Sequence, residues 1–427
     1  MIGVALLVLL ALLVLSIPVA ATLIALALFL DEFCSPFPLF RAMGEVLWSA
    51  SDSFLLIAIP LFILLGEVLV RTGVARKTYE ALEAWLSWLP GGLLHANIGT
   101  ATLFSATSGS SVATAATIGT VAMPQAGRLG YDERLFAGSI AAGGTLGIMI
   151  PPSINLIVYG FLTETSIPRL FAAGLLPGLM LAGLFILGTA VICTLRPGLG
   201  GPRRHHDWRR RITGLWHLVP VLGLFALVVG SIYAGWATPT EAAALGVLGA
   251  LAIAAAMRRL TLRVLIDAVD GTMRTTGMIM LIIISSYFLN FVLASAGVTR
   301  DLEALIEGAG LGPYGTLVLV IGLYIVLGFF VETLSLMVIT IPIVAPLIIA
   351  QGFDPVWFGI LLILLIEMAL ITPPVGLNLY VVQGVRGHGS LNEVMLGALP
   401  YVGLMLLTAV LLVLAPGIAL FLPSVLN

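Results

Sequence analysis

GGTLGIMIPPSINLIVYG, Gly143 to Gly160, lies in a run apolar enough to cross a membrane, yet two consecutive prolines interrupt it. Proline removes a backbone donor and clashes with the preceding turn, at about 3 kcal/mol or more inside a helix. A spanning segment that carries such a pair breaks its own helix at membrane depth. The same feature recurs in ALITPPVGLNLYVVQG from Ala369, where Pro373-Pro374 stands 222 positions after Pro151-Pro152.

The 222-residue shift also superposes Pro124 on Pro346, Gly130 on Gly352, Asp132 on Asp354 and Phe136 on Phe358 without a gap. A shift of 224 aligns TGVARKTYEAL from Thr72 with AGVTRDLEALI from Ala296, and one of 223 aligns Pro177 with Pro400. An internal repeat is therefore expected. The 427 residues are 60% hydrophobic and 9% charged, with a mean hydropathy of +1.15. Such usage marks a polytopic all-α membrane protein. The net charge of −2 leaves no basic surface for nucleic acid, and Cys34 and Cys193 make no disulfide framework. The first thirty residues lack a basic leader and run too long for a signal core, so they read as a retained span.

Apolar runs of spanning length fall at about 1–30, 54–70, 135–162, 170–193, 215–235, 240–257, 276–294, 358–382 and 397–423. The stretches 93–127 and 313–350 are apolar but rich in Ser, Thr, Gly and Pro, and read as re-entrant hairpins. Two ordinary spans with small-residue packing faces are the other reading. Each half then runs span, amphipathic connector, hairpin, proline-broken span, span, with 215–235 reversing the second half. Two inverted-topology repeats result.

Arginine sets the orientation. Arg196, Arg203, Arg204, Arg209, Arg210 and Arg211 in one loop, and Arg258, Arg259, Arg263 and Arg274 in another, place both on the cytoplasmic side with Arg71, Arg76 and Lys77. The segment WATPTE, the acidic stretch Asp301, Glu303 and Glu307, and the C-terminus then lie outside, and the N-terminus inside. His205 and His206 read as solvated loop residues, Glu67 as interfacial, and His95 as a satisfied polar residue.

Paired broken helices in inverted repeats mark secondary transporters, because interrupted helices expose carbonyls and half-helix ends near the bilayer midplane. The hairpins supply the polar complement: FSATSGSSVATAATIG carries Ser105, Thr107, Ser108, Gly109, Ser110, Ser111 and Thr114, and FFVETLSLMVITIPI carries Glu332, Thr333, Ser335 and Thr340. Hydroxyls and open carbonyls suit a hard alkali cation. The shift maps Glu332 onto Ser110 and Glu367 onto Thr145, and carboxyls at membrane depth point to function.

GGTLGIMIPPSINLIVYG, TSGSSVATAATIGTVAMP and ALITPPVGLNLYVVQG resemble the large membrane subunit of tripartite ATP-independent periplasmic (TRAP) transporters, over essentially the whole chain. The resemblance implies a sodium-coupled importer of a small organic acid in a bacterial inner membrane, partnered by a small four-helix membrane subunit and a periplasmic substrate-binding protein. It implies an elevator-type mechanism, with scaffold in 1–92 and 215–312, transport domain in 93–193 and 313–427, and a cytoplasmic loop at 194–214. One sodium site is expected among Ser108, Gly109, Ser110, Gly144, Thr145, Pro151, Pro152 and Asn155. A second is expected among Glu332, Thr333, Glu367, Thr372, Pro373, Pro374, Gly376 and Asn378. The solute is expected between the hairpin tips, at Ser111, Ser153 and Ser335, where half-helix N-termini favour a carboxylate. Sodium is the only coupling species implied, with no other cofactor.

Two rival classes are weaker. A stand-alone sodium/divalent-anion symporter shares the hairpin design. An intramembrane serine protease needs a histidine beside its nucleophile, and His95 is the single candidate; no GxxxxGK[ST] run supports a primary pump. In a variant lacking Cys34 and Cys193, an impermeant maleimide should label Gly308→Cys in intact spheroplasts and Arg209→Cys only after permeabilisation. Labelling of both from one side would contradict the topology.

Overall fold

The computed structural model describes residues 2–15, 17–35, 37–202, 206–298, 300–301, 304, 308 and 310–426. Arg203, Arg204, His205, Glu303 and Glu307 lie outside the described residues. Among those described the chain is helical, with no strand. The first part contains α1 (Ile2–Val14), α2 (Val19–Cys34), α3 (Met43–Ser51), α4 (Ala58–Thr72) and α5 (Val74–Leu86). Then follow α6 (Leu93–Ser108), α7 (Ser111–Arg128), α8 (Glu133–Met149), α9 (Ile154–Leu162) and α10 (Ile167–Leu195). After α11 (Trp208–Leu215), α12 (Val219–Tyr233), α13 (Pro239–Ala256) and α14 (Leu262–Ser295), the second half repeats the pattern. It comprises α15 (Gly312–Gly328), α16 (Thr333–Ala350), α17 (Pro355–Ala369), α18 (Leu377–Arg386), α19 (Leu391–Leu414) and α20 (Gly417–Val425).

The 222-residue spacing is visible in the helix bounds. It carries both ends of α7 onto those of α16 and the start of α8 onto that of α17. The caps repeat with it: Asp132 accepts from Leu135 N at 2.9 Å, and Asp354 accepts from Val356 N at 2.7 Å and Trp357 N at 3.1 Å. A carboxylate at these N-caps satisfies donors that have no partner within the helix. Both proline pairs fall in the breaks, and both Pro-Pro bonds are cis.

Among the described residues seven helical segments are long and apolar enough to cross a membrane, and α8 with α9, bent by 42° at their break, makes an eighth if counted as one crossing. Several expected runs differ in detail. The run 1–30 is two helices, because Pro18 stands at the N-cap of α2 and α1 packs back on α2. The connector before 276 and the span after it are one helix, α14, whose 34 residues reach about 51 Å at ~1.5 Å per residue. The last run, 397–423, ends at Leu414, and α20 turns back onto α10. Among the hairpin legs, α16 is itself long and apolar enough to cross.

Packing exchanges elements between halves. The first broken helix, α8, lies along α19, and its counterpart α17 lies against α10. Beyond the breaks, α18 packs on the first hairpin leg α7, while α9 packs on the second hairpin leg α16. The exchange is reciprocal: each half's post-break helix packs on the other half's hairpin. On the outer side α4 packs against α6, α13 and α14, and α14 also meets α2 and α16. An ion network pins α8 to the second half: Arg386 donates to Glu133 Oε2 at 2.8 and 3.0 Å and lies 2.7 Å from Glu393. His206 and Arg211 are docked on α5, while Arg209 and Arg210 are exposed. Trp85 Nε1 donates to Arg211 O at 3.0 Å, and His206 stands 3.9 Å from Glu83 of α5.

The α8–α19 crossing brings backbones into contact. A methyl on Gly397 would overlap the Arg134 carbonyl, and one on Gly138 would overlap Gly397 itself. Small residues permit such approach where the bilayer gives no hydrophobic drive for association. Gly397→Ala should lower the thermal midpoint in detergent, overpacking costing roughly 1–3 kcal/mol. Gly403→Ala, on the same helix with open space around it, should leave the midpoint unchanged. Equal midpoints in the two variants would contradict the crossing.

Candidate functional site

The first hairpin turns at Ser108-Gly109-Ser110. Gly109 has φ +59°, and a Cβ there would lie 3.2 Å from Pro152 O, so the tip rests on the first break. Ser110 caps α7 by accepting from Ala113 N at 3.3 Å, and Ser108 Oγ lies 2.7 Å from Thr114 Oγ1. The second hairpin turns at 329–332. There Glu332 takes the place of Ser110 and accepts four hydrogen bonds, from Thr333 Oγ1 (2.9 Å), Leu334 N (3.1 Å), Ser335 N (3.0 Å) and Ser335 Oγ (3.0 Å). A carboxylate has about four acceptor positions, so this one is filled by its own hairpin.

Both tips open on one cleft of 160 Å³. Ser108, Gly109, Ser110, Ser111 and Asn155 line it with Glu332 and Thr333, and Leu370 and Leu377 flank the second break there. The far wall is α4 and α14, with Gly66, Glu67 and Thr275. Two side chains in the cleft are almost fully buried and have an atom without a hydrogen-bond partner: Ser111 Oγ and Asn155 Nδ2. An unsatisfied buried polar group costs about 1–3 kcal/mol, which a bound ion, solute or water would offset.

The remaining expected residues are distributed around this cleft. Gly144 lies between Ser111 O and Asn378 Nδ2, and Asn378 Nδ2 donates to Ala141 O at 3.2 Å. Asn378 of the second half is thus held by the first half, while Asn155 of the first half faces the second hairpin. Thr145 donates to Ala142 O at 2.7 Å and Thr372 to Met368 O at 2.6 Å, which turns both hydroxyls back onto their own helices. Ser153 caps α9 through Leu156 N at 3.4 Å, and Ser335 serves Glu332. Pro151 and Pro152 are buried, whereas Pro374 is exposed. Gly376 is buried with φ +57° at the start of α18. Glu367 is fully buried and does not line the cleft. The backbone N–H groups of Ile148 and Met149 are near its carboxylate but short of hydrogen-bond geometry.

The α4–α14 wall is what the sequence does not disclose. Glu67, expected at the interface, lines the cleft. Arg71 donates to its carboxylate, to its carbonyl at 2.8 Å and to Asp267 O at 3.1 Å. Acid and base one turn apart are the only sequence trace of this pair. His95 Nε2 donates to Pro90 O at 2.6 Å, and its Nδ1 has no partner.

The family model described as "Tripartite ATP-independent periplasmic transporter, DctM component" matches residues 6–418. The C4-dicarboxylate TRAP transporter large permease protein of Pseudomonas aeruginosa is 33% identical over 387 residues, 90% of each chain. The sialic acid TRAP transporter large permease protein of Vibrio cholerae is 31% identical over 377 residues, 87% of each chain. Among solved structures, the YdaH transporter of Alcanivorax borkumensis has the same fold at 17% identity, with a TM-score of 0.60 over 93% of this chain and 97% of that one.

Removing the Glu332 cap should cost about 1 kcal/mol. Glu332→Ala should therefore melt earlier than the parent protein, and Glu332→Ser, which copies the first hairpin, should recover most of the loss. Equal midpoints for the two substitutions would show that the carboxylate does not hold the tip.

Proposed function

The chain belongs to the DctM component family of tripartite ATP-independent periplasmic transporters, and from that premise we propose that it imports a small organic acid by sodium symport. It does so with a small membrane subunit and a periplasmic binding protein, in a bacterial inner membrane. The observation that carries this reading is the cleft, where two hairpin tips and a broken helix meet unpartnered buried polar atoms.

Sodium is a hard cation that prefers oxygen ligands, as other hard cations do. Ser108, Ser110 and Ser111, with the carbonyls at the first tip, offer such oxygens. On the second tip Thr333 is the remaining hydroxyl, since Glu332 is committed to its cap. Asn155 brings a carboxamide from the break. The solute carboxylate would meet the α7 N-terminus, where the helix dipole and open N–H groups favour an anion. The cleft is below the ~300–1,000 Å³ of ordinary ligand sites, so this conformation has room for ions and water, and the solute requires it to open.

The reading divides the chain into a scaffold, 1–92 and 215–312, and a transport domain, 93–193 and 313–427, the cleft lying along their boundary. Movement of the second part against α4 and α14 would carry the hairpin tips across the bilayer as inverted, re-entrant elements. The relatives' names supply the solutes to try first, C4-dicarboxylates and sialic acid.

The test is uptake into proteoliposomes holding the chain and its small subunit, with the binding protein added outside. An inward sodium gradient should drive uptake only when all three proteins are present. Ser111→Ala and Asn155→Ala should raise the sodium concentration for half-maximal uptake while leaving the thermal midpoint unchanged. Uptake by the single chain, or uptake indifferent to sodium, would contradict the proposal.

A further inference from the structure

A larger cleft, of 530 Å³, lies away from the hairpin tips, between α5 and α7. From α5 come Arg76, Tyr79 and Glu80, and from α7 Thr120, Gln125 and Arg128. Arg76 and Arg128 are exposed, and neither forms an ion pair with a described residue, although Glu80 is one turn from Arg76. Two guanidinium groups against one carboxylate leave an excess of one positive charge in the cleft, which calls for an oxygen-rich monoanion.

We propose that this cleft binds the headgroup phosphate of an anionic phospholipid. A guanidinium presents a planar fork of donors that matches two phosphate oxygens, and Arg76 and Arg128 bring one fork from each wall. Val121, Pro124 and Leu129 make the apolar part of the lining, suited to the glycerol and first acyl carbons and without use for free phosphate. Arg71, Arg76, Lys77 and Arg128 cluster at one end of α4, α5 and α7, and a basic end of membrane helices attracts anionic lipid. The site thus joins α5 to the outer leg of the first hairpin. Its consequence, that the lipid restrains sliding between them, rests on the division into scaffold and transport domain given above; the binding itself does not.

The experiment is a thermal-shift titration of the delipidated complex of the chain with its small subunit. Phosphatidylglycerol should raise the midpoint saturably. The shift should vanish in Arg76→Gln/Arg128→Gln and shrink in Arg76→Gln and in Arg128→Gln alone, which remain informative if the double variant does not fold. An undiminished shift in the single and double variants would overturn the site. Equal shifts from phosphatidylcholine of the same chain length would show that only acyl chains are bound, and an equal shift from inorganic phosphate would show a free-anion site; either result overturns the proposal. Because binding is read on the resting complex, failure of sodium-driven uptake in that complex would count against the transport reading and not against this site.

Discussion

Inside a bilayer every backbone donor and acceptor must be satisfied by protein, because water is absent. The two breaks, at 150–153 and 370–376, each release several such groups, and the surrounding packing recovers them. Ser153 caps α9, Asn378 N reaches back to Leu370 O at 3.1 Å, and Leu379 N bonds Gly376 O at 2.8 Å. The first break is enclosed by the hairpin tip on one side and by α10 on the other, where a methyl on Gly174 would approach Met149 O. Close burial of α8 and α17 follows from this need, and so does the exchange of α9 and α18 between halves. A broken helix cannot stand alone in lipid; it must be sheathed by the other repeat.

The repeat is not symmetric where the chemistry concentrates. At equivalent tips Ser110 is a neutral cap and Glu332 an anionic one. The first tip keeps free oxygens and the half-helix N-terminus, whereas the second consumes its carboxylate in four internal bonds. Near the first break, the Glu367 carboxyl replaces the hydroxyl of Thr145. The two turns therefore differ in kind: a hydroxyl caps the first, and a carboxylate whose acceptor positions are filled by its own hairpin caps the second.

The breaks and the two polar hairpins were legible in the sequence because Pro and Gly act locally, through φ and a missing donor, whereas the matched Asp132 and Asp354 show themselves as helix caps only in the structure. The repeat spacing located α7 and α16 residue for residue. What the sequence hid is tertiary. Nothing local reveals that Asn378 is held by α8 while Asn155 faces the second hairpin, or that Glu67 turns into the cleft beside Arg71. The charged stretch 258–274 concealed the continuity of α14, since hydropathy falls there while helical geometry persists. The split of the first run at Pro18 is likewise hidden by hydropathy, which stays high on both sides of it.

The account stands on the interrupted helices as the source of the site. The most direct measurement is sodium-driven uptake, with membrane expression and thermal midpoint, for Pro151-Pro152→Ala-Ala and Pro373-Pro374→Ala-Ala in the reconstituted complex. Without proline rings, α8 can continue into α9 and α17 into α18, closing backbone bonds that lipid rewards. Both variants should insert and fold, and sodium-driven uptake should be lost. Uptake at the parent level with either pair replaced would contradict the claim that the breaks make the site.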